Sequence, residues 1–102
     1  QNMKMKDIQK MMKQAEAMQT QMEADLDGME VEGTSGGGMV SLVLDGKKNL
    51  KSIAIKPDAV DPEDVEMLED LILAAFQDAG RQVDEVISDR LGNMSGGLLG
   101  GM

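Results

Sequence analysis

The sequence predicts an α+β domain in which a helix, a three-stranded antiparallel meander and a long helix follow one another. Three observations carry that reading. Apolar residues recur three or four apart in two stretches near the ends of the chain, apolar and polar residues alternate between those stretches, and an Asp-Gly dipeptide interrupts the alternation.

The first periodic stretch runs from about Met3 to Leu26, where Ile8, Met11, Ala15, Met18 and Met22 form a heptad-like seam. A helix of that span is roughly 36 Å long. Lys6, Lys10 and Lys13 fall on nearly the opposite side, so they point away from whatever the methionines pack against. The seam reads as core or dimer contact, since methionine fills irregular apolar gaps. Asp27-Gly28 ends the helix, and Met29 to Gly33 alternates as a half-buried strand does. Thr34 to Gly38 is a turn, and Met39 to Leu44 is apolar enough on both faces to be the central strand. Asp45-Gly46 is expected to form a type I′ hairpin turn, because both residues tolerate positive φ. The third strand then runs from about Lys48 to Ile55. Leu50 has the wrong parity for Ile53 and Ile55, which predicts a bulge or an irregular start.

The second helix is expected to start with Asp61 as cap and Pro62 at the first helical position, and to stop near Gly92 after Arg90. Val65, Leu68, Ile72, Ala75, Ala79, Val83 and Val86 form its apolar face, with Leu71, Phe76 and Ile87 on the margins. Some thirty residues make a rod roughly 45 Å long, whereas a compact domain of about 100 residues has a radius of gyration near 13 Å. Something outside the chain is therefore expected to cover part of it. The reading divides the chain into one domain, residues 1–91, and a flexible Gly-rich tail, 92–102.

Composition narrows the function. Of 102 residues one is aromatic, and the 41% hydrophobic content supports only a thin core, a deficit that small chains without disulfides often offset by oligomerising. Cysteine and histidine are absent, so thiol nucleophiles, Ser-His triads and the usual zinc sites cannot be assembled, and no enzyme is expected. The glycines at 36–38 lead into a strand where a phosphate loop leads into a helix, and the acids of residues 58–70 lack EF-hand spacing. No metal or cofactor is expected. Neither is a membrane span or signal peptide, given the lack of a long apolar run; Gln1 in place of Met suggests that a few native residues precede it.

The net charge is −9, but its distribution is uneven. Residues 1–14 carry Lys4, Lys6, Lys10 and Lys13 against Asp7 alone, residues 47–56 carry Lys47, Lys48, Lys51 and Lys56 with no acid, and residues 57–70 hold seven acids and no base. An acidic total repels phosphates at long range, so nucleic-acid binding requires the basic stretches to stand apart from the acids.

With the order of elements established, Gly33-Thr34-Ser35-Gly36-Gly37-Gly38-Met39-Val40, the Asp45-Gly46 hairpin, the run from Leu50 to Pro57 and above all Met67 to Ala79 resemble the YbaB/EbfC family of bacterial nucleoid-associated proteins. The resemblance covers nearly the whole chain. It implies a cytoplasmic, nucleoid-associated protein that forms a tweezer-like homodimer and grips double-stranded DNA with projecting helices, and it brings replication and recombination proteins into view as partners. On that basis Lys4, Lys6, Lys10 and Lys13 are the expected DNA-facing residues, joined by Arg81 and Arg90, the only cations of the second helix. Ile8, Met11, Met18, Met22, Leu68, Ile72 and Phe76 are the expected core or dimer seam. With no tyrosine or tryptophan to stack on bases and few guanidinium groups, contacts to the DNA backbone and weak sequence preference are expected. The competing reading is a dimeric interaction adaptor whose Met seam, acidic patch or tail engages another protein, with DNA incidental.

Overall fold

The computed structural model describes residues 2–99, with side-chain surroundings through Asn93. Helix α1 (Met5–Gly28) leads into strand β1 (Val31–Ser35), a glycine turn, strands β2 (Val40–Leu44) and β3 (Leu50–Ile55), and helix α2 (Val65–Leu99). The sheet is antiparallel in the order β1-β2-β3, the expected meander. All three glycines of the turn at 36–38 have positive φ, at 60, 68 and 94°, a conformation that side chains with a Cβ rarely adopt.

One face of the sheet carries the core. Val31, Val40, Leu42 and Leu44 are buried against Ala75, Ala79 and Val83 of α2, with Leu68, Leu71, Ile72, Val86 and Ile87 packed around them. Small residues on α2 allow a close approach: a Cβ on Gly33 would collide with the backbone at Ala79 and Ala75, so only glycine lets α2 cross β1 at this separation. Two hydrogen bonds fix the crossing, from the Thr34 N–H to Asp78 Oδ2 at 2.9 Å and from Ser35 Oγ to the Leu71 carbonyl at 2.6 Å.

Three expectations need correction. Asp61 does not cap α2, and Pro62 is not its first residue. Asp61 closes a turn, accepting from the Glu63 N–H through Oδ1 and from the Asp64 N–H through its carbonyl, both at 2.9 Å. With the acceptors of Asp61 committed to that turn, Asp64 takes over as cap by accepting from the Met67 N–H at 3.2 Å, and the helix begins at Val65. At the other end Gly92 does not stop the helix. A Cβ there meets nothing within 4 Å, no packing opposes continuation, and α2 runs through it to Leu99. Residues 92–99 of the expected flexible tail thus belong to α2, and 100–102 lie outside the described residues.

The third correction concerns the hairpin. Gly46 is not at positive φ; the loop is Gly46-Lys47-Lys48, and Lys48 takes the left-handed position at φ 65°. The Lys48 N–H donates to the Asp45 carbonyl and the Asp45 N–H to the Asn49 carbonyl, each at 3.0 Å. A three-residue loop ending in a left-handed residue is a common alternative to the two-residue turn. Asp45 organises it: its carboxylate accepts from the Lys47 and Asn49 N–H groups and from Asn49 Nδ2, at 2.8, 2.9 and 3.1 Å. The parity mismatch on β3 is resolved as expected, by a bulge. Val43 pairs with Ser52 and Leu44 with Leu50, which leaves Lys51 as the extra residue.

The molecule is far from compact, with a radius of gyration of 20.6 Å and extents of 73 × 30 × 16 Å. α1 buries no residue, and every residue of β3 is exposed.

Candidate nucleic-acid interface

Among the described residues, helix α1 is an arm held only at its C-terminal end. It starts because Lys4 is extended and its N–H donates to the Asp7 carboxylate at 3.3 Å, an acid suitably placed in the first turn. Met, Lys, Gln, Ala and Glu, all good helix formers, fill most of its length. The expected seam residues Ile8, Met11, Met18 and Met22 are all exposed, Met18 to 69%, so the α1 half of that seam is not core of this chain. Leu68 and Ile72 of the α2 half pack on the core, and Phe76 is 39% exposed.

Charge is polarised along the arm. Lys4, Lys6, Lys10 and Lys13 stand exposed toward the tip, and among the described residues none forms an ion pair. Toward the base the acids Glu16, Glu23, Asp25 and Asp27 are met by no base within the helix. The last turn of a helix carries partial negative charge from its free carbonyls, so this end needs cations from elsewhere. The β2–β3 loop supplies them. Lys47 Nζ pairs with Asp27 Oδ1 at 2.9 Å, and Lys51 Nζ donates to the Asp27 carbonyl at 2.8 Å. The hydrogen bond to Asp27 holds the Lys47 ammonium protonated to higher pH than usual. Lys48 turns the other way and pairs with Asp84 of α2 at 2.9 Å. Three of the four lysines between 47 and 56 are therefore engaged within the protein. Sequence reading missed this; the hint available was an acid-rich helix end facing a lysine-rich hairpin.

Arg81 and Arg90 do not join the lysines of the arm. Arg81 pairs with Asp78 one turn earlier on α2, at 3.5 Å. Arg90 lines an open cleft with Ala24, Asp25, Gly28 and Met29, at the foot of α1. From Ala24 to Lys13 is about 11 residues up the helix, or roughly 16 Å. The same cleft places the foot of α1 beside the C-terminal half of α2. The acidic stretch ending at Asp70 lies some twenty residues back along α2, roughly 30 Å from Arg90 and the foot of the arm, well beyond the Debye length of about 8–10 Å in physiological salt.

These features define a class: a small α+β body carrying a long helical arm that is basic toward its tip and acidic toward its base. The YbaB/EbfC DNA-binding family matches residues 4–98. A nucleoid-associated protein of Rhodospirillum rubrum is 45% identical over 97 residues, covering 92% of this chain and 91% of the relative. One from Alkaliphilus metalliredigens is 50% identical over 91 residues, covering 86% and 80%. The fold is similar to the crystal structure of an uncharacterized protein from Helicobacter pylori, with a TM-score of 0.71, 24% identity, and coverage of 93% of this chain and 100% of that one. The chain belongs to the YbaB/EbfC DNA-binding family, a family named for nucleoid association and not for a catalysed reaction. No helix among the described residues is long and apolar enough to cross a membrane.

Proposed function

We propose that the chain works at the nucleoid as a homodimer whose two α1 arms lay Lys4, Lys6, Lys10 and Lys13 against the phosphate backbone of duplex DNA. The observation that carries this is the unpaired, exposed lysine set on an arm with no buried residue. Two protomers would offer eight lysines. Counterion release then supplies most of the affinity, and sequence preference is weak.

The dimer half of the reading rests on uncovered apolar surface. Leu50, Ile53 and Ile55 pair with Leu44, Leu42 and Val40, and so share the core face of the sheet, yet they remain 52, 44 and 37% exposed because α2 packs over β1 and β2. A second copy is the covering that a closed, symmetric oligomer provides.

The test is a titration of duplex DNA at two salt concentrations, with the Lys6/Lys10/Lys13→Glu variant alongside. Engagement of six or more phosphates predicts a loss of about 10³-fold or more in affinity between roughly 50 and 200 mM salt, and near-abolished binding by the variant. Unchanged affinity in a variant that is still dimeric removes these lysines from the mechanism. Flow-through of the native protein on a DNA column at about 100 mM salt would favour the adaptor reading.

A further inference from the structure

We infer that the β2–β3 loop is the joint that aims the α1 arm, with Gly46, Lys47 and Lys51 as positioning residues that touch no DNA themselves. For its functional half this inference rests on the DNA reading above; its structural half stands without it.

The observations converge on the last turn of α1. The Gly46 N–H donates to the Leu26 carbonyl at 2.8 Å, satisfying one of the orphan acceptors at the helix end. Lys51 satisfies the next carbonyl, that of Asp27, and Lys47 holds the Asp27 carboxylate. The approach is so close that a Cβ on Gly46 would stand 2.7 Å from Leu26 Cδ2, 2.7 Å from Met29 Sδ and 3.0 Å from Leu26 Cα. Since Gly46 is not at positive φ, this proximity to α1, to the Leu26 backbone above all, is what favours glycine there. The bulge at Lys51 and the carboxylate of Asp45 shape the loop that presents these groups.

Leverage makes the joint matter. A tilt of about 10° at the foot of a 36 Å rod moves its tip by roughly 6 Å, more than the rise of about 3.4 Å between neighbouring phosphates of one DNA strand. Exposed ion pairs are individually weak and screened by salt, so direction depends on the steric fit at Gly46 together with both lysines. Lysines that the sequence presents as a second basic patch thereby act on DNA through α1.

The experiment measures residual dipolar couplings of backbone amides in the free, full-length protein, together with DNA affinity. In the native protein the couplings of α1 and of the sheet fit one alignment frame. In Gly46→Val and in Lys47→Glu/Lys51→Glu the α1 couplings should shrink relative to the sheet's while β2 amides keep their shifts, and DNA affinity should fall on the order of ten-fold, as misplacing one or two phosphate-facing cations per arm implies. Exchanging the pair, as Asp27→Lys/Lys47→Glu, should recover both readouts; direct contact of Lys47 with DNA would leave affinity low. Should Gly46→Val fail to fold, the lysine variant decides. The joint is overturned if α1 still fits the sheet's frame in the folded variants, or if the exchanged pair restores neither readout. Altered couplings combined with unchanged DNA affinity in Lys6/Lys10/Lys13→Glu would sink the DNA reading and leave the joint standing.

Discussion

At the scale of single residues, two glycines show that the same substitution has opposite signs in different places. Gly33 lies under α2, and a Cβ there meets backbone atoms that cannot move without shifting the helix. Gly33→Ala should cost about 1–3 kcal/mol by overpacking. Gly80 sits within α2 with nothing within 4 Å of its notional Cβ, so Gly80→Ala should add about 0.5–1 kcal/mol by relieving the entropy cost of glycine in a helix. Thermal melts of the two variants check this, and shifts in the same direction would contradict the packing described. Asp45 makes a pH prediction. The Asn49 N–H, helped by Asn49 Nδ2 and the Lys47 N–H, holds its carboxyl below the ordinary value of 3.8. A lowered folded-state pKa contributes stability that is complete above the unfolded-state value and is lost as pH falls through the folded one. Stability of the native protein should therefore drop below about pH 4, and Asp45→Asn should flatten that acid limb in urea titrations across pH 2–5.

At the scale of elements, α1 and α2 are both long helices but are stabilised differently. α2 has a face buried on the sheet, whereas α1 has none and depends on intrinsic propensity plus its foothold at Leu26, Asp27 and Met29. Amide exchange should divide them: residues 6–22 should exchange by local opening, while Ala75 to Val83 should exchange only with global unfolding. Equal protection in both helices would mean that α1 is packed against something in solution along its whole length.

For the whole molecule, the deciding feature is apolar surface left uncovered along β3. Completing the burial of Leu50, Ile53 and Ile55 contributes about 1 kcal/mol each, twice over in a symmetric pair. Leu50→Lys/Ile53→Lys places charges on that edge strand without replacing a buried residue. The native protein should sediment as a dimer at micromolar concentration and the variant as a folded monomer with an unchanged far-ultraviolet spectrum. A native protein found as a monomer would remove the paired arms from the proposed function.

The chain alone determined the order of elements, the α2 stripe of Leu68, Ile72, Ala75, Ala79 and Val83, the bulge on β3 and the lysine stripe of α1, because each follows from periodicity within a few residues. Its family was legible as a resemblance, carried by the order and spacing of Gly33 to Val40, Asp45-Gly46, Leu50 to Pro57 and above all Met67 to Ala79. Only the tertiary structure decided that Asp64 and not Asp61 caps α2, that Gly46 serves proximity where a turn conformation was expected, and that Lys47, Lys48 and Lys51 are spent on Asp27 and Asp84. The cap depends on which of two nearby acids reaches the free N–H groups, the glycine and lysine outcomes on which groups from distant parts of the chain meet, and neither kind of fit leaves a periodic trace in the sequence.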